Sequence, residues 1–364
     1  MIRREKDHHD GKKGGFKPLS WQCGFNKAFL RALAEDLLYT KESIRAKFWA
    51  YRHSFFSDRI KLYGLTPDNY DRYLPDFLYY QLQPINGIFS IWLDDKLSLK
   101  YLLQPFDQYL PEYYYLLDRG HVIGLMDCPL AGVDDESIAR LLELKGCLAA
   151  KLMTGSRGKG FHKLTCHNDD YYVDDIRMNR TDMMTFLMGL SGYLITEYLT
   201  AHHALATVTG NRPCSLRIVL VNLGGKHTIA GAYMKLGTDA SGYVDNISAG
   251  GIAVWVDIDS GSFSRGFWYD GQRYVPVTKH PDSEQLVEGT VPFWQDIRAT
   301  ILAIGDYVPQ MRLMGFDIII SDEGFKIIEI NSRPGLNTLS LLDPIHTKSL
   351  FSEFFRQLLD EGKR

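Results

Sequence analysis

The sequence predicts an α+β protein with a helical N-terminal region. Three observations carry this. From Asn26 to about Arg59 apolar residues recur at helical spacing, with Phe29, Leu33 and Leu37 on one line and Leu30, Ala34 and Leu38 on the next. From Ile91 onward short apolar runs alternate with helical segments. Two pairs of runs are joined by turns, Gly224-Gly225 and Asp322-Glu323-Gly324, that read as antiparallel hairpins.

Taken in order, residues 1 to about 20 form a polar Gly/Lys-rich tail with six basic and three acidic residues, read as solvated. Residues 21–90 form the helical region, with short helices and loops between Tyr63 and Ile91. A small α/β lead-in domain is expected over 91–145: strands near Tyr113–Leu117 and Val122–Leu125 and a helix near Asp135–Lys145. A third domain, 146–205, holds the strand Gly146–Met153, a Gly-rich loop Thr154–Gly160, the strand Phe161–Thr165, a helix Thr181–Leu190 and the strand Tyr193–Tyr198. The last, 206–364, holds the strands Leu216–Asn222, Thr228–Leu236, Ala253–Asp259 and Gly266–Tyr269, then a helix Val291–Tyr307. A hairpin over Leu313–Asn331 and an amphipathic helix Ser349–Leu359 complete it.

Composition narrows the function. The chain has 364 residues, 45% apolar and 13% aromatic, enough for more than one packed core. A net charge of -3 with no long basic block argues against an obligate nucleic-acid binder. No apolar run reaches ~18 residues, so no transmembrane helix is expected. The N-terminus lacks the apolar core of a signal peptide. Five scattered cysteines without a CxxC read as reduced thiols of a cytoplasmic protein.

The segment LMGFDIIISDEGFKIIEINSRPGLN (313–337) is the most informative. With Asp322-Glu323-Gly324 as a three-residue loop and Gly324 left-handed, Ser321 faces Phe325 and Asp317 faces Glu329 across the ladder. Asn331 shares the Glu329 face, because side chains alternate. Facing residues have Cβ atoms ~5 Å apart. Two carboxylates held that close require a proton or a cation between them. Asp317, Glu329 and Asn331 are three hard oxygen donors suited to Mg²⁺ or Mn²⁺. Apolar neighbours on both faces read as a buried central strand pair.

Other motifs are weaker alone. Lys151 ends a strand before a Gly-rich loop whose N–H groups can close on phosphate. Asp94-Asp95-Lys96 opens a helix, where acids ordinarily cap and the lysine can reach a phosphate. Glu197, the one charge in YLITEYL, can accept an adenine amino group beside a free strand edge, with the Tyr198 and Leu199 backbone reading the ring. Arg217, in an apolar strand, fits a bidentate hold on phosphate or carboxylate, or a structural salt bridge.

In this order the motifs resemble the ATP-grasp superfamily of carboxylate–amine ligases, whose metal hairpin carries an Asp, then Glu-x-Asn, then Pro-Gly-Leu. Asp317, Glu329, Asn331 and Pro334-Gly335-Leu336 match it; Ser332-Arg333 before the proline departs from it. NISAGG (246–251) resembles the Asn-x-x-x-Gly-Gly loop of the same ligases. The nearest likeness is the sugar-transfer-associated group, carried best by GTDASGYVDNISAGGIAVWVDIDSG, and the resemblance spans about Ile91 to Leu342. It implies an ATP-grasp fold, two α/β subdomains clamping ATP, behind an N-terminal helical extension. The cofactors implied are ATP with Mg²⁺ or Mn²⁺. The nucleotide contacts implied are Lys96, Lys151, Gly155, Ser156, Gly158, Lys159, Gly160, Glu197, Tyr198 and Leu199. Arg217, Asn246 and Lys235 are the expected catalytic residues. The usual ribose-binding acid is missing, with His202-His203 near its place.

The implied reaction activates a carboxylate as an acyl phosphate that an amine then attacks. The partners expected are a small carboxylate, such as a uronic acid or glycan precursor, and an amino acid or other amine. A kinase, a peptide-modifying ligase and a non-catalytic nucleotide-binding scaffold remain open alternatives. Tyr79-Tyr80 and Tyr113–Tyr115 read as core packing before sugar stacking.

Overall fold

The computed structural model describes residues 27–129, 133–134, 136–155, 160–168, 170–242, 244–245, 247–269, 274–342 and 349–362. The chain divides into two compact units, Met1–Gln83 with Asp343–Arg364, and Pro84–Leu342.

In the first unit the helical spacing resolves into α1 (Lys27–Tyr39), α2 (Ile44–Arg52), α3 (Arg59–Tyr63) and α4 (Asp76–Gln81). Ser43 caps α2 by accepting the Ala46 N–H at 3.2 Å. The core is aromatic: the Phe29 ring lies 4.9 Å from Phe77 and 6.0 Å from Phe56. Asp36 is buried beside it and accepts from the Ser57 N–H, the Ser57 hydroxyl and the Tyr51 hydroxyl. Burial alone would raise its pKa, but these donors outweigh burial and hold it below the usual carboxylate range.

The second unit opens on α5 (Ser90–Asp94) and α6 (Lys96–Leu102). Asp95 separates them and caps α6, accepting the Ser98 N–H at 2.7 Å. Then come β1 (Tyr113–Asp118), β2 (His121–Gly124), α7 (Ser137–Lys145), β3 (Cys147–Leu152), β4 (His162–His167), β5 (Asp170–Val173), β6 (Ile176–Met178), α8 (Arg180–Met188) and β7 (Tyr193–Glu197). The seven described strands make one antiparallel sheet in the order β2-β1-β7-β3-β4-β5-β6. The division expected at 145/146 therefore falls inside one sheet. Tyr115 and Leu117 of β1 share a core with Ile138 and Leu142 of α7 and Ile195 of β7. Leu148 and Ala150 of β3 enter that core. Alternation sends Ala149 and Lys151 to the opposite face, with Lys163 of β4 opposite Ala149.

The second sheet follows α9 (His203–Thr209). It is built from β8 (Cys214–Leu223), β9 (Lys226–Leu236), β10 (Ile252–Val256), β11 (Ser262–Tyr269), β12 (Tyr274–Val277) and β13 (Gly289–Thr290), and, after α10 (Trp294–Tyr307), from β14 (Leu313–Ser321) and β15 (Gly324–Asn331). Its order is β12-β11-β10-β9-β8-β14-β15, with β13 on β11. Gly224 and Gly225 take φ of 58° and 87°, the two positive values a type I′ turn requires. β10 stops at Val256, short of the expected Asp259, because the Asp257 carboxylate accepts the Ser260 N–H at 2.8 Å and turns the chain. α10 packs Ile297, Ile301 and Ile304 into this sheet's core. Gly305 is required there, since a Cβ would stand 2.8 Å from the His227 ring.

The hairpin over Leu313–Asn331 is not a central pair. β14 is internal, but β15 is the sheet edge, packed by α5 and tied by Lys326, which donates to the Gln108 carbonyl at 3.0 Å. After α11 (Asn337–Leu342), α12 (Leu350–Glu361) belongs to the first unit, where Tyr79 meets Phe355 edge-on at 6.2 Å. Tyr79 and the buried Tyr113–Tyr115 are thus packing residues. Cys128, Cys147, Cys166 and Cys214 form no disulfide among the described residues; Cys23 lies outside them.

Lys100 of α6 is only 2% exposed. Its ammonium pairs with Asp107 at 2.6 Å and Asp127 at 2.9 Å, and donates to the Pro111 carbonyl at 3.0 Å. Lys100→Ala leaves Asp127 and Asp107, both half-buried, without their shared cation and is expected to cost ~1–3 kcal/mol in urea unfolding. A loss below ~1 kcal/mol, the range of an exposed pair, would contradict the structural role assigned to it.

Candidate functional site

Three adjacent strands line up the central charges. Asp317 of β14 is paired in register with Arg217 of β8 on one side and Glu329 of β15 on the other. The cross-strand pairing of Asp317 with Glu329 is as expected, but the turn is not. Ser321 pairs with Gly324, so Asp322-Glu323 is a two-residue turn, and Gly324 takes φ 139° rather than a left-handed helical value. The register then shifts between Asp317 and Ile318, leaving Ile328 as the bulged residue. One residue fewer in the turn and one extra in β15 cancel, which returns Asp317 to Glu329.

The two acids are neutralised by the protein's own cations. Arg217 donates Nε to Asp317 Oδ1 and Nη2 to Oδ2, both at 2.7 Å. Lys235 of β9 places Nζ 3.0 Å from Oδ1, and Asn331 Nδ2 lies 3.4 Å from Oδ2. A carboxylate offers about four lone-pair directions, so Asp317 is saturated. Burial alone would raise its pKa; Arg217 and Lys235 outweigh that and hold it well below the usual range. Burial acts to lower the pKa of both cations. Asp317 overcomes this for Arg217, and Asp245 with Asp317 for Lys235, so both end above their ordinary values. Asp245, 3.6 Å from Lys235, is a site residue the sequence reading missed; it flanks Asn246 in the quoted motif and was visible there.

Glu329 takes Lys96 instead. Lys96 Nζ lies 3.1 Å from Glu329 Oε2 and donates to the Gly155 carbonyl at 2.8 Å. Its backbone N–H donates to the Met153 carbonyl at 3.1 Å. Lys96 therefore ties the Gly-rich segment of the first sheet to the acidic hairpin of the second. Asp94 accepts from the Ser332 N–H at 2.8 Å and its hydroxyl at 2.7 Å. Ser332, the departure from the resembling pattern, is thus the anchor for Asp94-Asp95-Lys96. Gly315 allows the next turn to pack, since a Cβ there would stand 2.5 Å from Pro334.

On the open face of the first sheet, Lys151 Nζ sits 4.9 Å from the Tyr113 ring centroid. Burial of the ammonium, reinforced by Lys96, pushes Lys151 down to about 7. Lys163, also missed from sequence, lies 5.6 Å over the Tyr198 ring. Glu197 does not border a free edge: β7 runs between β1 and β3, and Glu197 exchanges contacts with Glu112, accepting its N–H at 3.2 Å and donating its own N–H to its carbonyl at 2.9 Å. Tyr198 and Leu199 follow the end of β7. Gly155 and Gly160 flank the loop, and Ser156, Gly158, Lys159 and Asn246 lie outside the described residues.

His202 and His203 gather on Asp322. His203 meets Oδ1 through its N–H at 3.0 Å and Nδ1 at 2.7 Å; His202 Nε2 lies 3.7 Å away. His202 Nδ1 accepts the Ala204 N–H at 3.1 Å, so a neutral ring carries its proton on Nε2 and offers no lone pair there. This trio is a clasp on the hairpin tip, not a cation site.

The donor set fits a hard divalent ion at its Glu329 side. Among the described residues Glu329 has Lys96 as its polar partner, and Asn331 engages through Nδ2, leaving Oδ1. Asp317 joins only if Arg217 or Lys235 moves.

Two antiparallel sheets, with lysines on one and a carboxylate hairpin on the other, define an ATP-grasp protein. Residues 80–350 match the family model for sugar-transfer associated ATP-grasp, and the chain belongs to that family. Among solved structures it is similar to D-alanyl-alanine synthetase A from Vibrio cholerae O1 biovar eltor, at 14% identity and TM-score 0.43, covering 76% of this chain and 65% of that one. It is also similar to D-alanine–D-alanine ligase from Bacillus anthracis, at 13% identity and TM-score 0.39, covering 79% and 71%. A third is L-amino acid ligase from Bacillus licheniformis, at 10% identity and TM-score 0.38, covering 78% and 52%. The chain thus spans less than two thirds of the first of these. A comparison with curated proteins returned no match.

Lys151 gives a pH signature. Free lysine titrates near 10.5 and Lys151 near 7, so between these values the unfolded chain binds the extra proton and stability rises with pH. Lys151→Met is expected to flatten this rise in thermal unfolding measured from pH 6 to 10. An unchanged slope would mean that Lys151 is not desolvated.

Proposed function

We propose that this chain is an ATP-dependent ligase that forms an amide between a carboxylate and an amine through an acyl phosphate, releasing ADP and phosphate. The observation that carries the reading is the convergence of Arg217, Lys235 and Lys96 on the facing acids Asp317 and Glu329. A structural salt bridge needs one cation, whereas this cluster has the charge to hold a polyphosphate with its ion.

ATP activates the carboxylate because a free carboxylate is a poor electrophile, and the protein's task is positioning and charge neutralisation. The Tyr198–Leu199 backbone, beyond the end of β7, is offered to the adenine edge. Lys96, Lys151 and Lys163 hold phosphate oxygens. Magnesium, held by Glu329 and Asn331, would supply neutralisation of the β- and γ-phosphate oxygens. Phosphate competes with Asp317 for Arg217 and Lys235; as they turn to it, an Asp317 oxygen is freed to complete the metal set. The family's association with sugar transfer supports a uronic acid or other glycan precursor as the carboxylate partner, with an amino acid as the amine.

The test is ADP and phosphate release over a panel of uronic acids, nucleotide sugars and amino acids, with hydroxylamine as trap. A hydroxamate establishes carboxylate activation, and a stable phosphorylated product would establish a kinase instead. Glu329→Gln is expected to lower turnover by ~10²–10³-fold. Nucleotide binding with no turnover across the panel would end the ligase reading.

Nucleotide phosphate must also return Lys151 to its charged form. At pH 8 most free Lys151 is neutral, given its value of about 7. ADP binding is expected to take up close to one proton, read by calorimetry in buffers of different ionisation enthalpy. Lys151→Met removes the uptake; uptake that persists in this variant would place the proton elsewhere.

A further inference from the structure

α1 exposes apolar side chains besides the face it buries. Phe29 faces the aromatic core, while Leu30, Leu37 and Leu38 face outward, Leu38 at 74% exposure. Large apolar side chains gathered on an outward face mark an interaction surface, and among the described residues of this unit none covers these. α2 repeats the feature: Ala50 is buried, and Ile44 and Phe48, one turn apart, are 88% and 68% exposed. Lys47 of α2 donates to the Asp36 and Leu37 carbonyls at 2.9 and 2.8 Å, which fastens the two apolar edges side by side.

The rim is basic. Lys27, Arg31, Lys41, Arg45 and Arg52 are exposed. The acids of the same stretch are spent: Asp36 is buried, Glu35 pairs with Arg31 at 2.9 Å and Glu42 with Lys61 at 2.7 Å. The first 52 residues carry twelve basic and six acidic residues, whereas the whole chain carries 41 and 44, so positive charge is concentrated here. The chain's own first 20 residues, six basic against three acidic, share the sign of this rim and are disfavoured as its cover. Among the described residues no helix is long and apolar enough to cross a membrane, so attachment would be peripheral.

From this we infer that the α1–α2 face docks on an anionic lipid surface, Leu38, Ile44 and Phe48 entering the headgroup boundary and Lys41 and Arg45 pairing with lipid phosphates. This stands apart from the ligase reading: either can fail without the other.

The experiment is co-sedimentation of the full chain with vesicles of phosphatidylcholine mixed with phosphatidylglycerol and with vesicles of phosphatidylcholine alone. Binding is expected only to the mixture and should weaken with salt. Ile44→Asp with Phe48→Asp should lower partitioning at least ~10-fold, from the apolar side chains no longer buried, with an unchanged melting temperature. Leu144→Asp, at an exposed leucine of the second unit, should leave it unchanged. Lys41→Glu with Arg45→Glu should abolish the preference for the anionic mixture. Equal binding to pure phosphatidylcholine, or full binding by the Ile44/Phe48 variant, would overturn the proposal. So would vesicle-independent self-association that the same variant dissolves, which would make this face an interface between copies.

Discussion

The site depends on how the Asp317 carboxylate is kept charged inside a sheet. A buried carboxylate without partners costs several kcal/mol and would take up a proton. Here Arg217 grips it with two parallel hydrogen bonds and Lys235 adds a third contact. Those cations come from β8 and β9, so the charge balance holds only when β14, β8 and β9 are in this register. The same register sets Glu329 opposite Asp317. Site and sheet are therefore one object: a slip of one residue would turn Asp317 to the other face and leave Arg217 and Lys235 repelling each other.

A second constraint joins the two sheets. Lys96 spans Glu329 and the Gly155 carbonyl, and Asp94 holds Ser332, the residue next after the Asn331 end of the hairpin's ladder. The short α5–α6 element thus carries the geometry of the hairpin to the Gly-rich segment. In the proposed reading, each cation now resting on a carboxylate is one that a phosphate draws away. Charge-assisted contacts of this kind are strong when dry and weaken as water enters. A site that closes on its ligand gains from that difference.

The first unit follows different physics. Its core is a small aromatic cluster around Phe29 with the hydrogen-bonded Asp36 at its side. A core of that size leaves large apolar side chains of α1 and α2 uncovered, and solvated basic residues around them keep such a surface soluble until a partner of opposite charge covers it.

What the sequence by itself determined is local and pairwise. The alternating runs and the acids interrupting them were enough to place Asp317 opposite Glu329, and the order of the motifs resembles the ATP-grasp family to which the chain belongs. The turn at Asp322-Glu323 was misread by one residue, and the bulge at Ile328 has no signature in FKIIEIN; the two offsets cancelled. Only the tertiary structure decided the rest. It set β7 between β1 and β3, which denies Glu197 a free edge, and put β15 at the sheet's rim. It also brought Asp245, Lys163 and Ser332 into the site. These are outcomes of strand order and sheet-to-sheet contact. Pairing period and turn chemistry act over a few residues, whereas strand order is chosen by which distant faces bury each other best, and no short stretch of sequence carries that information.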